Sequence, residues 1–275
     1  MPRLFVLLAL FACAVVALAQ APPPPPPGPC CWPPVPAGLV DWWTFDEPAG
    51  TSSSDFGGTV NNLGMDHGTI ARVPGAVGRA VSLTGSTWIE IGTGNEVNFL
   101  GNCVNDVAQP FTVDFWIRTT QTNGTATILD KRSRNGTTFL RGYSVYLHNG
   151  RVGLQMATGP GNFACNRPGS ACSNMTATSL PSVADGNWHF VGIAFTRCLA
   201  ASGLFYVDGQ VASFTPRVGD IASASNLYIG RLAPPMGNSY LTGELDELEL
   251  FKAALTKSDF DSIFGKKCAG KCRAF

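Results

Sequence analysis

The chain has 275 residues, in which 19 Lys and Arg balance 19 Asp and Glu, and 45% of the residues are hydrophobic. Without a basic stripe, electrostatic attraction to nucleic acid or to anionic lipid has nothing to act through. The histidines His67, His148 and His189 are scattered and form no HExxH pair, which leaves a zinc hydrolase unsupported.

Residues 1–19 read as a secretory signal peptide. Arg3 supplies the positive start, Leu4 to Ala19 is apolar, and Ala17-Leu-Ala19 forms a small-x-small cleavage site before Gln20. The run is short for a membrane span, which needs roughly 20 apolar residues. Leu10-Phe-Ala-Cys13 makes a poor lipid-attachment box, because Phe11 sits badly in it and the apolar run continues past Cys13. The expectation is a secreted chain with no membrane insertion after cleavage. Pro22 to Pro27 are six consecutive prolines, a stiff and extended sequence at about 3.1 Å per residue, so 20–37 is expected to be a proline-rich linker. The globular domain is expected to span 38–275.

From Gly38 onward the pattern is strand after strand. Val81-Ser-Leu83, Trp88-Ile-Glu-Ile91, Phe111-Thr-Val-Asp-Phe-Trp-Ile117, Tyr143-Ser-Val-Tyr-Leu147 and Leu227-Tyr-Ile229 are β-branched, aromatic and often alternating. Asn149-Gly150 and Asp208-Gly209 each separate two such runs and tolerate the positive φ of a tight hairpin. One helix is predicted near the end: Thr256-Lys-Ser-Asp259 can cap its start, Phe260, Ile263 and Phe264 share a face, and Gly265 can end it. It is expected to close an edge of the molecule. The fold class is therefore all-β: an antiparallel β-sandwich, or jelly roll, with one short C-terminal helix.

Eight cysteines follow the leader, an even number that argues for disulfides in an exported chain. Cys165 and Cys172 bracket a short loop and are expected to staple it. The pair Cys30 and Cys31 lies at one end and Cys268 with Cys272 at the other, so bridges between the ends are expected, leaving Cys103 for Cys198 by elimination. The adjacent Cys30-Cys31 lacks zinc-ligand spacing. Asn123, Asn135 and Asn174 open N-x-Thr sequons in stretches that read as loops. Neither a Gly-x-Ser-x-Gly elbow nor a glycine-rich phosphate loop occurs.

Seven segments, in order, carry a family resemblance. They are Gly38-Leu-Val-Asp-Trp-Trp-Thr-Phe-Asp-Glu47, Asp66-His-Gly-Thr69, Phe111 to Ile117, Trp188-His-Phe-Val-Gly-Ile-Ala-Phe195, Tyr206-Val-Asp-Gly209, Gly243-Glu-Leu-Asp-Glu-Leu-Glu-Leu-Phe251 and Ala253-Ala-Leu-Thr256. Over roughly residues 38 to 265 the chain resembles laminin G-like, concanavalin A-like lectin/glucanase jelly-roll domains. The stretch around Cys165 to Cys172 departs from the family's spacing. The resemblance implies a recognition domain for carbohydrate or a glycosylated surface, with an extracellular protein as the alternative partner. It also implies one possible cofactor, Ca²⁺, at the matching positions Asp46 or Glu47, Asp55 and Asp246, since calcium takes hard oxygen ligands.

The segment Glu244-Leu-Asp-Glu-Leu-Glu249 raises a catalytic alternative. It fits E-x-D-x-x-E, the carboxylate set of some β-glucanases of the same fold. The parity of Leu245, Leu248 and Leu250 changes along the segment, which implies a bulge that would gather Glu244, Asp246 and Glu249 on the opposite face. A nucleophile and acid about 5 Å apart would then suit retaining glycoside hydrolysis. The favoured reading is non-catalytic. Among the aromatics, Trp42 and Trp43 are consecutive and point to opposite faces, so at most one is expected in the core and the other could stack on a sugar or pack beneath the Pro33–Pro36 segment. Trp116 and Trp188 are expected in the core, and Tyr228 and Tyr240 at an exposed rim. The ligand-binding residues themselves are not legible at this level.

Overall fold

The computed structural model describes residues 36–48, 50–58, 60–92, 98–99, 110–196 and 198–266. The expected leader, nearly all of the linker, and Cys30, Cys31, Cys103, Cys268 and Cys272 lie outside the described residues. In chain order the strands are β1 Leu39–Trp43, β2 Ser52–Ser53, β3 Gly64–His67, β4 Ala71–Pro74, β5 Arg79–Thr84, β6 Trp88–Ile91, β7 Phe111–Arg118, β8 Thr125–Asp130 and β9 Ser133–Asn135. They continue as β10 Phe139–His148, β11 Arg151–Pro160, β12 Cys172–Thr176, β13 Trp188–Phe195, β14 Gly203–Val207, β15 Gln210–Phe214, β16 Leu227–Ile229 and β17 Thr242–Phe251, followed by helix α1 Lys257–Phe264.

These strands form two antiparallel sheets that face one another. The first runs β15-β14-β13-β7-β17-β5-β4, with β1 also paired to β17, and the second runs β12-β11-β10-β8-β16-β6-β3-β2, with β9 paired to β10. The fold class expected from the sequence is the one observed. Both dipeptide turns are tight hairpins with positive φ at Asn149, Gly150, Asp208 and Gly209, joining β10 to β11 and β14 to β15.

Alternation decides which side chains meet between the sheets. On β7, Phe111, Val113, Phe115 and Ile117 point into the main core, as do Val191, Ile193 and Phe195 of β13 and Tyr143, Val145 and Leu147 of β10. Burying each such side chain contributes about 1.5–3 kcal/mol. Strand β17 needs its bulge to stay in phase. Glu247 takes φ +50°, the pairing with β7 shifts between Asp246 and Glu249, and Leu245, Leu248 and Leu250 all reach the core. The same bulge divides one edge of β17 between two partners, β5 along Thr242–Leu245 and β1 along Leu248–Phe251.

The outer faces of the two sheets differ. On the first sheet, Trp116, Phe190, Ala194, Tyr206 and Phe251 are buried together with Leu255, Phe260 and Ile263. Helix α1 supplies the last two, held by a capping box between Thr256 and Asp259. The helix therefore covers a face and does not close an edge as the sequence suggested. Gly192 makes this contact possible, since a Cβ there would stand 2.4 Å from Phe260 Cε1. Among the described residues no helix is long and apolar enough to cross a membrane.

Candidate binding groove

Among the described residues no helix covers the outer face of the second sheet, and its outward positions are mostly polar. Thr125 and Thr127 of β8, Ser144, Tyr146 and His148 of β10, Gln155 of β11, and Asn174 and Thr176 of β12 lie side by side as the floor of a groove of about 690 Å³. Phe163 and the Cys165–Cys172 disulfide form one wall, while Leu232, Met236, Asn238 and Ser239 form the other. Its size and mixed lining suit a ligand of one or a few rings.

A polar chain crosses the floor. Arg132 donates from Nε to Asp130 Oδ1 at 2.9 Å and from Nη2 to Asp130 Oδ2, and its Nη1 donates to Gln155 Oε1. Gln155 Nε2 then donates to Asn174 Oδ1 at 2.6 Å. Asp130 is fully buried and its ion pair with Arg132 is nearly dry, so the arginine is fixed in place. Lys131 points the other way, into the sandwich, where its ammonium donates to Ser225 O at 2.6 Å. Burial lowers its pKa to about 8, against the charge of Asp41.

Tyr146 lies flat on the floor because Gly153 beneath it lacks a Cβ, which would stand 2.4 Å from the ring. Its hydroxyl lies 2.9 Å from Thr176 Oγ1 and donates to Met175 O at 3.3 Å. Burial raises its pKa, partly offset by the Thr176 hydrogen bond and the Arg132 charge. The tyrosine is therefore a neutral hydrogen-bonding group at any working pH. The wall loop is tied down independently of the sandwich core. Arg217 donates to Thr158 Oγ1, Ser173 Oγ and Ser170 O, and Asn162 pairs with Gly169 and Ala171. The Cys165–Cys172 staple expected from spacing is present. Cys198 is also disulfide-bonded, while its expected partner Cys103 lies outside the described residues. The sequon residues Asn135 and Asn174 stand on β9 and β12, not in loops as their sequence context suggested.

The four residues matched to calcium are divided among three places. Asp55 accepts from the amides of Trp42, Gly57 and Asn62. Burial raises its pKa against those hydrogen bonds. Glu47 accepts from Ser54 N at 2.6 Å and lies 3.7 Å from Arg72, which pairs with Asp66. Asp46 and Asp246 do come together, on the turn Gly75 to Gly78. Asp46 Oδ1 accepts from Arg79 N and Asp246 Oδ2 from Val77 N, each at 2.8 Å. Glycine is required at both ends of this turn, because a Cβ on Gly75 or Gly78 would overlap a carboxylate oxygen. Burial pushes the Asp246 carboxyl up to about 9, the Val77 amide opposes the rise, and the charges of Glu247 and Asp46 add to it. The four do not gather in one place, and among the described residues no three His, Cys, Asp or Glu side chains gather as a metal site.

The bulge expected in Glu244 to Glu249 exists, but it does not gather three exposed carboxylates. Asp246 and Glu249 are each 0% exposed, and Glu244 is ion-paired with Arg118. Trp42 is no sugar platform either. It is 3% exposed and donates its indole N–H to Glu247 Oε2 at 2.7 Å, so both tryptophans of β1 are buried, on opposite faces. Trp116 is buried under α1, and Trp188 is partly buried beside it. Tyr228 and Tyr240 are half-buried around Arg231, whose guanidinium stands 4.5 Å over Trp88. His67 stacks on the same indole at 4.7 Å.

A family model described as the concanavalin A-like lectin/glucanases superfamily, of laminin G type, matches residues 82–259, well over half of the chain. The chain belongs to this superfamily. No curated protein matches the lectin-like chain in sequence. Solved structures resemble it in fold. The binding domain of Paraclostridial Mosquitocidal Protein 1 is 17% identical with a TM-score of 0.60, over 82% of this chain and 52% of that one. The binding domain of Botulinum Neurotoxin DC in complex with SialylT is 14% identical, TM-score 0.57, over 84% and 51%. The same domain in complex with rat synaptotagmin II is 12% identical, TM-score 0.58, over 83% and 51%. The lectin-like chain thus spans about half the length of these neighbours.

Proposed function

We propose that this chain is an extracellular, non-catalytic recognition domain that holds carbohydrate in the groove on β8, β10, β11 and β12. The groove itself carries the reading. A sugar offers hydroxyls that donate and accept, together with apolar C–H faces. The floor and walls answer with the amides of Gln155, Asn174 and Asn238, several hydroxyls, and the rings of Tyr146 and Phe163. The burial of Asp246 and Glu249 supports binding without hydrolysis. Export is supported by the N-terminal apolar run and by the disulfide-bonded Cys165, Cys172 and Cys198. A protein ligand is the second reading, favoured by Leu63 and Met65, which are half-exposed near the far side of the second sheet.

For calcium, the supported residues are Asp46 and Asp246. Asp246 Oδ1 is buried and makes no hydrogen bond among the described residues. Backbone carbonyls and water would have to complete the six to eight oxygens the ion takes. That turn belongs to the first sheet and the groove to the second, so the ion would act on stability and not on the ligand.

The test is binding of the mature chain to a broad glycan array, beside the variant Gln155→Ala. Gln155 joins Arg132 to Asn174, so its loss is expected to weaken any glycan bound by the wild type by about tenfold, the scale of one or two hydrogen bonds. A blank array for the wild type would overturn the carbohydrate reading in favour of a protein ligand.

A further inference from the structure

We infer that the groove selects acidic glycans, those bearing a carboxylate or sulfate, and that Arg134 is the residue that selects them. The inference rests on the carbohydrate reading above and narrows it. Among the described residues the groove lining contains Arg132, Arg134 and His148 and not one Asp or Glu, in a chain whose acidic and basic residues are equal in number. An anion entering it meets no like charge at contact distance.

The two arginines differ in what they can offer. Arg132 is committed: both oxygens of Asp130 and the amide of Gln155 take its guanidinium. Arg134 is held but not consumed. Its backbone is fixed where β9 pairs with β10, opposite Leu140. Its Nε donates to Gly136 O at 2.9 Å, and its guanidinium sits 5.0 Å over the ring of Phe163. Among the described residues it enters no ion pair, and Nη1 and Nη2 make no hydrogen bond.

Those two nitrogens therefore remain for a ligand. A planar guanidinium braced at Nε and against a ring presents paired donors in the geometry that a carboxylate or sulfate accepts. Because Phe163 packs beside the Cys165–Cys172 disulfide, the side chain is placed before the ligand arrives, which reduces the ordering cost of binding. The neutral floor then reads the sugar hydroxyls while Arg134 reads the charge.

The experiment compares affinities of the full mature chain for sialyllactose against lactose, and for a chondroitin sulfate oligosaccharide against its desulfated form. At least one acidic member is expected to bind about tenfold or more tightly than its neutral counterpart. Arg134→Ala is expected to erase that ratio, and Arg134→Lys to keep part of it. Raising salt should shrink the ratio in the wild type and leave Arg134→Ala unmoved. Neutral glycans bound as well as acidic ones, or a preference that survives Arg134→Ala, would overturn this inference while leaving the carbohydrate reading intact. Failure of every glycan on the array would overturn both. Thermal melts of both variants matching the wild type exclude misfolding as the cause.

Discussion

His189 is held between two aspartates. Its Nδ1 lies 2.6 Å from Asp208 Oδ2 and its Nε2 lies 2.9 Å from Asp185 Oδ1, with the side chain only 12% exposed. Burial alone lowers its pKa, but the hydrogen bonds and charges of Asp208 and Asp185 outweigh it, and the net shift is upward from 6.5. The folded histidine thus holds its proton more tightly than the unfolded chain does. Its stabilising contribution is complete below pH 6.5 and is lost as pH rises through the folded pKa. Asp185 moves the other way, down to about 2 through the His189 hydrogen bond, so its contribution is present above pH 3.8 and is lost as pH falls from there through about 2. Urea unfolding at pH 5.5 and pH 8.5 should show the wild type losing stability relative to His189→Gln as pH rises. The variant itself should cost about 1 kcal/mol at the lower pH. An equal pH response in both chains would remove His189 from this account.

At the scale of elements, helix α1 and β13 are fitted to one another through an absent side chain. Gly192→Ala would push a methyl into the ring of Phe260, which is already in contact with Phe190 and Tyr206. Overpacking of this kind costs about 1–3 kcal/mol. Phe260→Leu frees part of that space, so the double variant should be more stable than the sum of the two single losses predicts, as a double-mutant cycle of urea midpoints would show. Much at this level was legible in the chain. The alternating runs gave the strands, Asn149-Gly150 and Asp208-Gly209 the hairpins, Thr256 to Asp259 the helix cap, and the leucine parity of β17 its bulge. The position of α1 was not legible. An apolar stripe of Phe260 and Ile263 reports that a helix is covered, and only Gly192 and its neighbours, far away in sequence, determine by what.

Among the described residues the outer faces of the two sheets differ, one sealed beneath helix α1 and one bearing the groove. This separation predicts how calcium behaves. Added Ca²⁺ should raise the melting temperature, by an amount equivalent to about 2.7 kcal/mol at a hundredfold excess over its Kd, and Asp246→Asn should abolish the rise. Glycan affinity should be the same with and without a chelator. A calcium requirement for glycan binding would show that the ion and the groove are coupled after all. The groove itself was invisible in the sequence, because Thr127, Tyr146, Gln155 and Asn174 occupy the alternate polar positions that any solvated strand displays. The residues matched to calcium are dispersed for a related reason: Phe45 turns the chain with φ +59°, and the consecutive Asp46 and Glu47 part towards different neighbours. The wall loop carries the largest consequence. From Gly161 to Ala171 it is closed by its own hydrogen bonds and by Cys165–Cys172, and it contributes Phe163 and Cys165 to the groove without entering the main core. Such a loop is a replaceable cassette. Its length and residues can drift, or be exchanged for another, while the sandwich beneath keeps its register, so relatives with the same scaffold can come to recognise quite different surfaces.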